Sequence, residues 1–437
     1  MGVVVAGVVA GSLALGACGG PGEPDTIGPG GDRAAHGLQV GAGDRVTVAL
    51  TAAPDVTSVV DATWRAGFVA LATGDGSAGT VVSPASLVVA LSMLAEGAVG
   101  GSAAALDEAL GASGDARTDA VNALSAALAR YEGDPAAVSA KELPVPPVVH
   151  MANQVVADDG VQLNESYLDR LVAGYGAGVL VTDLATAAGK RDLDAWVNRN
   201  TGGLIKESAI EPDPALVLVL QNAVALAAAW AEPFEADATS DDAFTLAGGE
   251  QVTVPTMHGA ATWAYAEVDG WRAVRLPYTA DLHADVLLPP AGSSAATDPS
   301  SADPDAVAAV VAALDAAEPG QVLLALPKVD LTSRTDLTAT FEALGLADLL
   351  DPATARLDGI LISDQPLFVG QAVQQAVLQV DEDGTRAAAV TELGVAAASA
   401  PMEPPVELVV DRPYLFAVTD GSTGWPLFLA SVLDPRG

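Results

Sequence analysis

The amino-acid sequence predicts an α+β protein with large, mostly antiparallel sheets. The first observation is that helix-like and strand-like segments occur in unequal clusters and do not alternate as regular βα units. The second is that half of the 437 residues are apolar, which is enough for a sizeable core. The third is that Cys18 is the only cysteine, so no disulfide bond can form within the chain and the core must stabilise itself.

The spacing of apolar residues gives each predicted element its type. Helical spacing occurs in three segments, at 86–98, 102–111 and 305–317. Apolar runs or strict alternation, which are typical of strands, occur in six segments, at 216–226, 251–257, 273–278, 284–289, 322–329 and 406–410. The stretch at 291–305 is rich in Ala, Ser, Pro and Asp, and is predicted to be a surface loop before the third helix.

The charge balance excludes several classes of partner. The chain has 19 basic and 56 acidic residues, which gives a formal net charge of −37. Such a chain repels phosphate backbones and anionic lipid headgroups. We therefore expect no nucleic-acid partner and no direct binding to a membrane, and we interpret the acidic side chains as a solvated surface.

The N-terminus is predicted to be an export signal followed by a tether. Residues 1–17 form an apolar run that ends in Leu-Gly-Ala, and this run resembles a bacterial lipoprotein signal that leaves Cys18 to carry lipid. An ordinary secretory signal is the alternative, and the absence of Lys or Arg before the run is a departure from the usual pattern. Residues 18–54 are rich in Gly and Pro and are predicted to be a flexible tether. The folded domain would then span 55–437 and be exported, either anchored by lipid on the outer face of the cell membrane or secreted.

The sequence contains no recognisable catalytic set. Its four histidines are His36, His150, His258 and His283, and none has metal-ligand spacing to a second residue. Neither a GxSxG nucleophile motif nor a phosphate-binding loop occurs. We therefore expect no metal, no cofactor and no enzymatic activity.

Many weak motifs follow one another in an order that is typical of one family. They are VVSPASLVVALSMLAEGAVGGSAAALDEAL, DAWVNRNTGGLI, LVLVLQNAVALAAAWAEPF, VTVPTM, VRLPY, VLLP, LALPKVDL, VDEDGT, DRPYLF and PLFLASVLDP. The ordered set covers residues 56–436 and resembles the serpin family. The resemblance implies three β-sheets surrounded by about eight to nine helices, with an exposed reactive-centre loop. It also implies a monomer that traps a serine protease as a suicide-substrate inhibitor.

The segment 380–405 corresponds to the reactive loop that the resemblance implies. Its residues match the family's hinge motif at Glu382, Gly384, Thr385, Ala387, Ala388 and Ala389. If this loop forms a strand, one face carries Thr385 and every second residue after it, while Arg386 and Glu392 fall on the other face. No proline interrupts residues 385–399. The loop is therefore predicted to insert into a sheet after cleavage.

The family's usual spacing from Gly384 places the reactive bond between Ala398 and Ser399, with Met402–Glu403 as the alternative. Small uncharged residues before the bond suit a shallow apolar specificity pocket. An elastase-like or subtilisin-like target is therefore expected, and a trypsin-like target is disfavoured. A non-inhibitory binding or carrier protein on the same fold is the alternative function, and an enzyme is a third.

Further family positions are implied to lie where the central sheet opens. They are Ser83, Ser86, Asn222, Trp230 and Gln374. Ser83 and Ser86 fit a helix cap equally well, because Ser precedes Pro at a predicted helix start. Gln374 stands where the family usually has histidine, and its amide can both donate and accept a hydrogen bond.

Overall fold

The computed structural model describes residues 37–74, 76–362, 366–385 and 404–437, apart from the side chain of Asn222. These residues form eight α-helices and sixteen strands and belong to one compact unit. The helices are α1 (Val56–Thr73), α2 (Pro84–Ala95), α3 (Gly100–Leu110), α4 (Gly114–Leu128), α5 (Glu165–Tyr175), α6 (Ala187–Asn200), α7 (Pro304–Ala316) and α8 (Thr338–Ala343). The strands are β1 (Leu38–Gln39), β2 (Gly79–Val82), β3 (Val148–Asp158), β4 (Val179–Thr182), β5 (Leu218–Ala229), β6 (Ser240–Thr245), β7 (Gln251–Val268), β8 (Trp271–Pro277), β9 (Leu282–Leu288), β10 (Gly320–Pro327), β11 (Val329–Asp336), β12 (Val373–Asp381), β13 (Gly384–Thr385), β14 (Val406–Val409), β15 (Tyr414–Asp420) and β16 (Pro426–Val432).

The central sheet has seven strands in the order β1-β4-β3-β5-β13-β12-β11. All neighbouring strands in it are antiparallel except β3 and β4, which are parallel. Along β12 the even-numbered residues 374, 376, 378 and 380 are buried, and the odd-numbered residues from 373 to 379 are half-buried. One face of this sheet therefore packs on the core.

The remaining strands form two sheets that share the long strand β7. Its residues 264–268 pair with β8, which begins the antiparallel series β8-β9-β15-β16-β2. Its residues 256–263 pair with β10, which also pairs in parallel with β14, and residues 251–256 pair with β6. Three sheets and eight helices confirm the predicted fold class, with two sheets continuous through one strand.

Local sequence accounts for where the helices begin. The Oγ of Ser83 accepts a hydrogen bond from the Ser86 N–H at 3.4 Å, and Pro84 occupies the first helical position of α2. Asp303 and Pro304 repeat this arrangement at the start of α7, where the aspartate oxygen accepts from the Asp305 N–H at 3.1 Å. Every residue of α2 is buried, so this helix lies inside the core.

The predicted boundary between tether and folded domain at residue 55 is wrong, because residues 37–54 contact the domain. Strand β1 pairs with β4, and the amide of Asn122 donates to the carbonyl of Val46 at 2.8 Å. Gly41 is buried so closely that a Cβ there would lie 2.4 Å from the carbonyl carbon of Leu168. These contacts satisfy backbone groups in a segment whose composition predicts none of them. Residues 18–36 lie outside the described residues.

The predicted elements otherwise coincide with the observed ones. The three segments of helical spacing correspond to α2, α3 and α7, and the six strand-like segments lie on β5, β7, β8, β9, β10 and β14. None of the helices in the described part of the chain is both long and apolar enough to cross a membrane.

Candidate functional site

The predicted hinge enters the central sheet as strand β13. After β12 the chain reverses in a turn at Glu382 and Asp383, and Gly384 and Thr385 then pair between β12 and β5. Thr385 lies opposite Val380 on one side and Ala228 on the other, and all three side chains are buried. Directly opposed residues point to the same face of a sheet, so the Thr385 side chain faces the core.

A glycine is required at 384 by the closeness of β5. A Cβ at this position would lie 2.1 Å from the carbonyl oxygen of Ala228 and 2.9 Å from the Cα of Ala229. These are backbone atoms of a central strand, which cannot move aside as the end of a flexible side chain can. The hinge can therefore occupy this position only with hydrogen in place of a side chain.

An aromatic pair lies at the end of β5 where the hinge enters the sheet. The rings of Trp230 and Tyr278 are stacked with their centroids 4.5 Å apart and their planes 8° apart. The indole N–H of Trp230 donates to the carbonyl of Asp381 at 3.0 Å, and its backbone N–H donates to the carbonyl of Asp383 at 2.9 Å. The hydroxyl of Tyr278 is hydrogen-bonded to the hydroxyl of Thr385. The pair therefore contacts the last residue of β12, the turn and the hinge.

Charged groups hold the turn from its other side. The Nζ of Lys328 lies 2.6 Å from Oε2 of Glu382, and the Thr239 hydroxyl donates to the other oxygen at 2.8 Å. Burial alone would raise the pKa of Glu382, but the hydrogen bond from Lys328 and smaller contributions outweigh it and lower that pKa. Burial raises the pKa of Asp381 to about 6, although its carboxylate accepts from the Asp383 N–H at 3.1 Å. The pKa of the carboxylate in the turn, Glu382, is thus lowered, and the pKa of Asp381 at the end of β12 is raised.

The central sheet narrows beyond the hinge, where β5 and β12 approach each other. Among the described residues, no backbone ladder joins β5 directly to β12, and β13 is the only strand between them. A narrow cleft lies beside the hinge, lined by Leu226 of β5, Val377 and Gln379 of β12, Phe428 of β16, and Thr385 itself. An additional strand could satisfy the backbone groups of β5 and β12 that face this cleft.

Further along β12, Gln374 fastens the central sheet to helix α2. Its Oε1 accepts from the backbone N–H of Ser83 at 2.9 Å, and its Nε2 donates to the carbonyl of Ser83 at 3.0 Å. Both residues are buried, with 3% of their surface exposed. The amide uses its donor and its acceptor together, as its chemistry allows.

The family model described as "Serpin (serine protease inhibitor)" matches residues 68–435. The chain belongs to the serpin family. That description names the members of the family as serine protease inhibitors.

Individual relatives and solved structures agree with this assignment. The chain is 29% identical over 364 residues to a serine protease inhibitor of Cyanea capillata, covering 81% of this chain and 92% of the relative. It is also 29% identical to Serpin-Z2B of Triticum aestivum, covering 81% of this chain and 89% of that one. The native structure of the thermophilic serpin tengpin matches with a TM-score of 0.75 at 22% identity, over 91% of this chain and 97% of tengpin. The native stressed structure of Arabidopsis AtSerpin1 matches with a TM-score of 0.71 at 24% identity, over 87% of this chain and 98% of AtSerpin1. At these identities the two structures share the serpin fold with this chain.

The structure brings some of the predicted serpin positions together and separates others. Glu382, Gly384, Thr385 and Trp230 meet at the turn, whereas Gln374 contacts Ser83 further along the sheet. Ser83 caps α2 with its side chain, as predicted, and binds Gln374 through its backbone, and Ser86 is buried in the first turn of α2. The other predicted positions lie outside the described residues: Cys18, Ala387, Ala388, Ala389, Ala398, Ser399, Met402, Glu403 and the side chain of Asn222.

Three residues of the site were missed by sequence reasoning. Tyr278 and Lys328 fall within VRLPY and LALPKVDL, which contributed to the serpin resemblance, but nothing in their spacing connects them to the hinge. Asp381 precedes the hinge by three residues, and its burial is what raises its pKa. Each depends on contacts between segments that are distant in sequence or on burial, which periodicity does not report.

Each of the three histidines in the described residues lies near a different carboxylate. His150 lies 2.5 Å from Glu132 and His258 lies 2.9 Å from Asp242, while His283 is 3.8 Å from Asp285. Within the described ranges, no three His, Cys, Asp or Glu side chains are grouped as metal ligands.

Proposed function

We propose that this serpin inhibits elastase-like or subtilisin-like serine endopeptidases by suicide-substrate trapping. The protease would cleave the reactive loop at Ala398–Ser399, and the cleaved loop would insert into the central sheet while the protease is still covalently attached. The observation that carries the proposal is that Gly384 and Thr385 already occupy the first two positions of such a strand. For the rest of the loop to insert, β5 and β12 would have to separate, and among the described residues no backbone ladder between them opposes this.

The two strands that border the cleft are long enough to pair with an inserted loop. Continuing the register of Thr385 with Ala228 would place Val395 opposite Leu218 at the far end of β5. Continuing its register with Val380 would place Glu392 opposite Val373 at the start of β12. A strand from Thr385 to Glu392 would therefore have a hydrogen-bonding neighbour on both sides. Its length would increase by about 3.3 Å with each residue.

The alternation of side chains along the loop fits the two faces of the sheet. In the continued register, Ala387 would lie opposite the buried Leu378, and Ala389 opposite the buried Ala376. Arg386 would lie opposite the half-buried Gln379 on the other face. Small side chains would thus enter the core, while Arg386 would lie on the opposite face, between the half-buried Gln379 of β12 and the buried Ala227 of β5.

The residues before the proposed bond determine the class of protease. Val395, Ala396, Ala397 and Ala398 are small and uncharged. Alanine fits a shallow apolar pocket, whereas a deep pocket with a buried carboxylate would keep that charge unpaired. The same argument disfavours trypsin-like targets if the bond follows Met402.

The test is to incubate the protein with pancreatic elastase or subtilisin and to look for a covalent complex that survives SDS. Thr385→Arg would bring a guanidinium into the buried position opposite Ala228, so this variant should be cleaved as a substrate without complex. Thr385→Ser is the matched control and should still form complex, because it keeps the hydroxyl and the small volume. Undiminished complex formation by Thr385→Arg would overturn the insertion mechanism, and cleavage of the unaltered protein without complex would favour a non-inhibitory carrier. Mass spectrometry of the peptide released from the denatured complex identifies the bond.

We also propose that the protein is exported and acts as a monomer tethered by lipid at Cys18. The support is the apolar run of residues 1–17, its Leu-Gly-Ala ending and the Gly/Pro-rich segment that follows. Such a tether would place the inhibitor near proteases outside the cell.

A further inference from the structure

The inserted hinge, which is Gly384 and Thr385 paired between β5 and β12, rests on a hydroxyl pair in the core. Thr385 is 3% exposed and Tyr278 is 2% exposed, and their two hydroxyl groups are hydrogen-bonded to each other. No other hydrogen bond of either hydroxyl is found in the described part of the chain. Each hydroxyl therefore depends on the other for its partner in the core.

Tyr278 is held in place independently of the hinge. Its ring stacks on Trp230, and its backbone N–H donates to the carbonyl of Leu282 at 3.0 Å. The next residue, Thr279, donates its N–H to the carbonyl of Ala229 at the end of β5 at 2.9 Å. Burial raises the pKa of Tyr278, so its hydroxyl remains protonated. The hydroxyl of Tyr278 thus stands at a fixed position beside β5, where Thr385 can reach it.

We infer that Tyr278 is a positioning residue that holds the hinge inserted in the uncleaved protein, so that loop insertion starts with its first two residues already in the sheet. The consequence for loop insertion rests on the proposed trapping function, but the position of the hinge can be measured independently of that function. If Tyr278 loses its hydroxyl, the Thr385 hydroxyl has no partner while the hinge is inserted and recovers water when the hinge leaves. The equilibrium then shifts toward the withdrawn hinge.

Trypsin provides the measurement, because Arg386 directly follows Thr385. A protease binds several residues on each side of the bond in extended form, so cleavage between Arg386 and Ala387 requires Gly384 and Thr385 to leave the sheet. When this opening is fast compared with cleavage, the cleavage rate follows the population of the open form. The appearance of a new N-terminus at Ala387 identifies the product.

The variants form a cycle that separates the hydroxyl pair from general disruption. Tyr278→Phe keeps the ring and its stacking, and Thr385→Val keeps the volume, but each leaves one buried hydroxyl without its partner. Each single variant should be cleaved at Arg386 roughly tenfold faster than the unaltered protein. The double variant removes both hydroxyls, leaves neither unpaired, and should return to within about twofold of the unaltered rate.

Single variants that are cleaved at the unaltered rate, or a double variant cleaved faster than either single variant, would overturn the inference. The second readout is the number of inhibitor molecules consumed for each elastase trapped, which should rise in the single variants and recover in the double variant. Trypsin cleavage could follow the cycle although neither the variants nor the unaltered protein trap elastase. This result would support the role of Tyr278 in holding the hinge and would refute only the proposed function.

Discussion

Replacing Gln374 with methionine should measure how strongly the central sheet is fastened to helix α2. The substitution conserves chain length and volume, so it creates little cavity or strain. It removes the two hydrogen bonds that the amide makes with the backbone of Ser83, at 2.9 and 3.0 Å. Both residues are buried, so water is not available to replace the lost partner.

The two lost hydrogen bonds are not equivalent. The Ser83 N–H would be left buried without an acceptor, which costs about 1–3 kcal/mol. The Ser83 carbonyl still accepts from the Leu87 N–H at 3.1 Å, so losing its second donor costs about 0.5–1.5 kcal/mol. We therefore expect Gln374→Met to lower the free energy of unfolding by about 1.5–4.5 kcal/mol.

Urea unfolding followed by tryptophan fluorescence would provide the measurement, with Gln379→Met as the matched control. Gln379 lies on the same strand but on the half-buried face, and its side chain makes one exposed hydrogen bond, to Asp330 at 3.0 Å. The control should lose no more than about 1 kcal/mol. Equal losses in the two variants would show that the contact with Ser83 does not distinguish Gln374, and the reasoning above would be wrong.

Two further predictions concern the turn and the N-terminus. Burial raises the pKa of Asp381 to about 6 from 3.8. The stability associated with the protonated carboxyl is therefore complete below pH 3.8 and is lost as the pH rises through 6. Asp381→Asn should accordingly have the same unfolding free energy as the unaltered protein near pH 4 and one about 1–3 kcal/mol higher at pH 7.5. Urea titrations at both pH values measure this, and a difference independent of pH would contradict the prediction. Cys18→Ser should move the protein from the membrane fraction to the soluble fraction of expressing cells, and equal retention of both forms would exclude the lipid anchor.

The sequence alone predicted the class of fold, three of the eight helices and six of the sixteen strands in the described residues. Alternation and apolar runs predicted β5, β7, β8, β9, β10 and β14, because a strand that packs on the core shows this pattern in consecutive residues. The Ser-Pro start of α2 is local in the same sense, since the cap and the bond it makes lie within four residues. The small residues after Gly384 predict a loop that a sheet could accept, and these residues lie outside the described ones.

Only the tertiary structure decided where the hinge lies and what holds it. The hydroxyls of Tyr278 and Thr385 meet although 107 residues separate them, and Gln374 reaches Ser83 across 291 residues. The pairing of β1 with β4 likewise joins residues that no local pattern connects. For this reason the predicted tether, which ends at residue 54, is too long. The physical reason is that a hydrogen bond between distant segments depends on how the whole core brings their backbones together, while propensity and periodicity depend on neighbours in sequence.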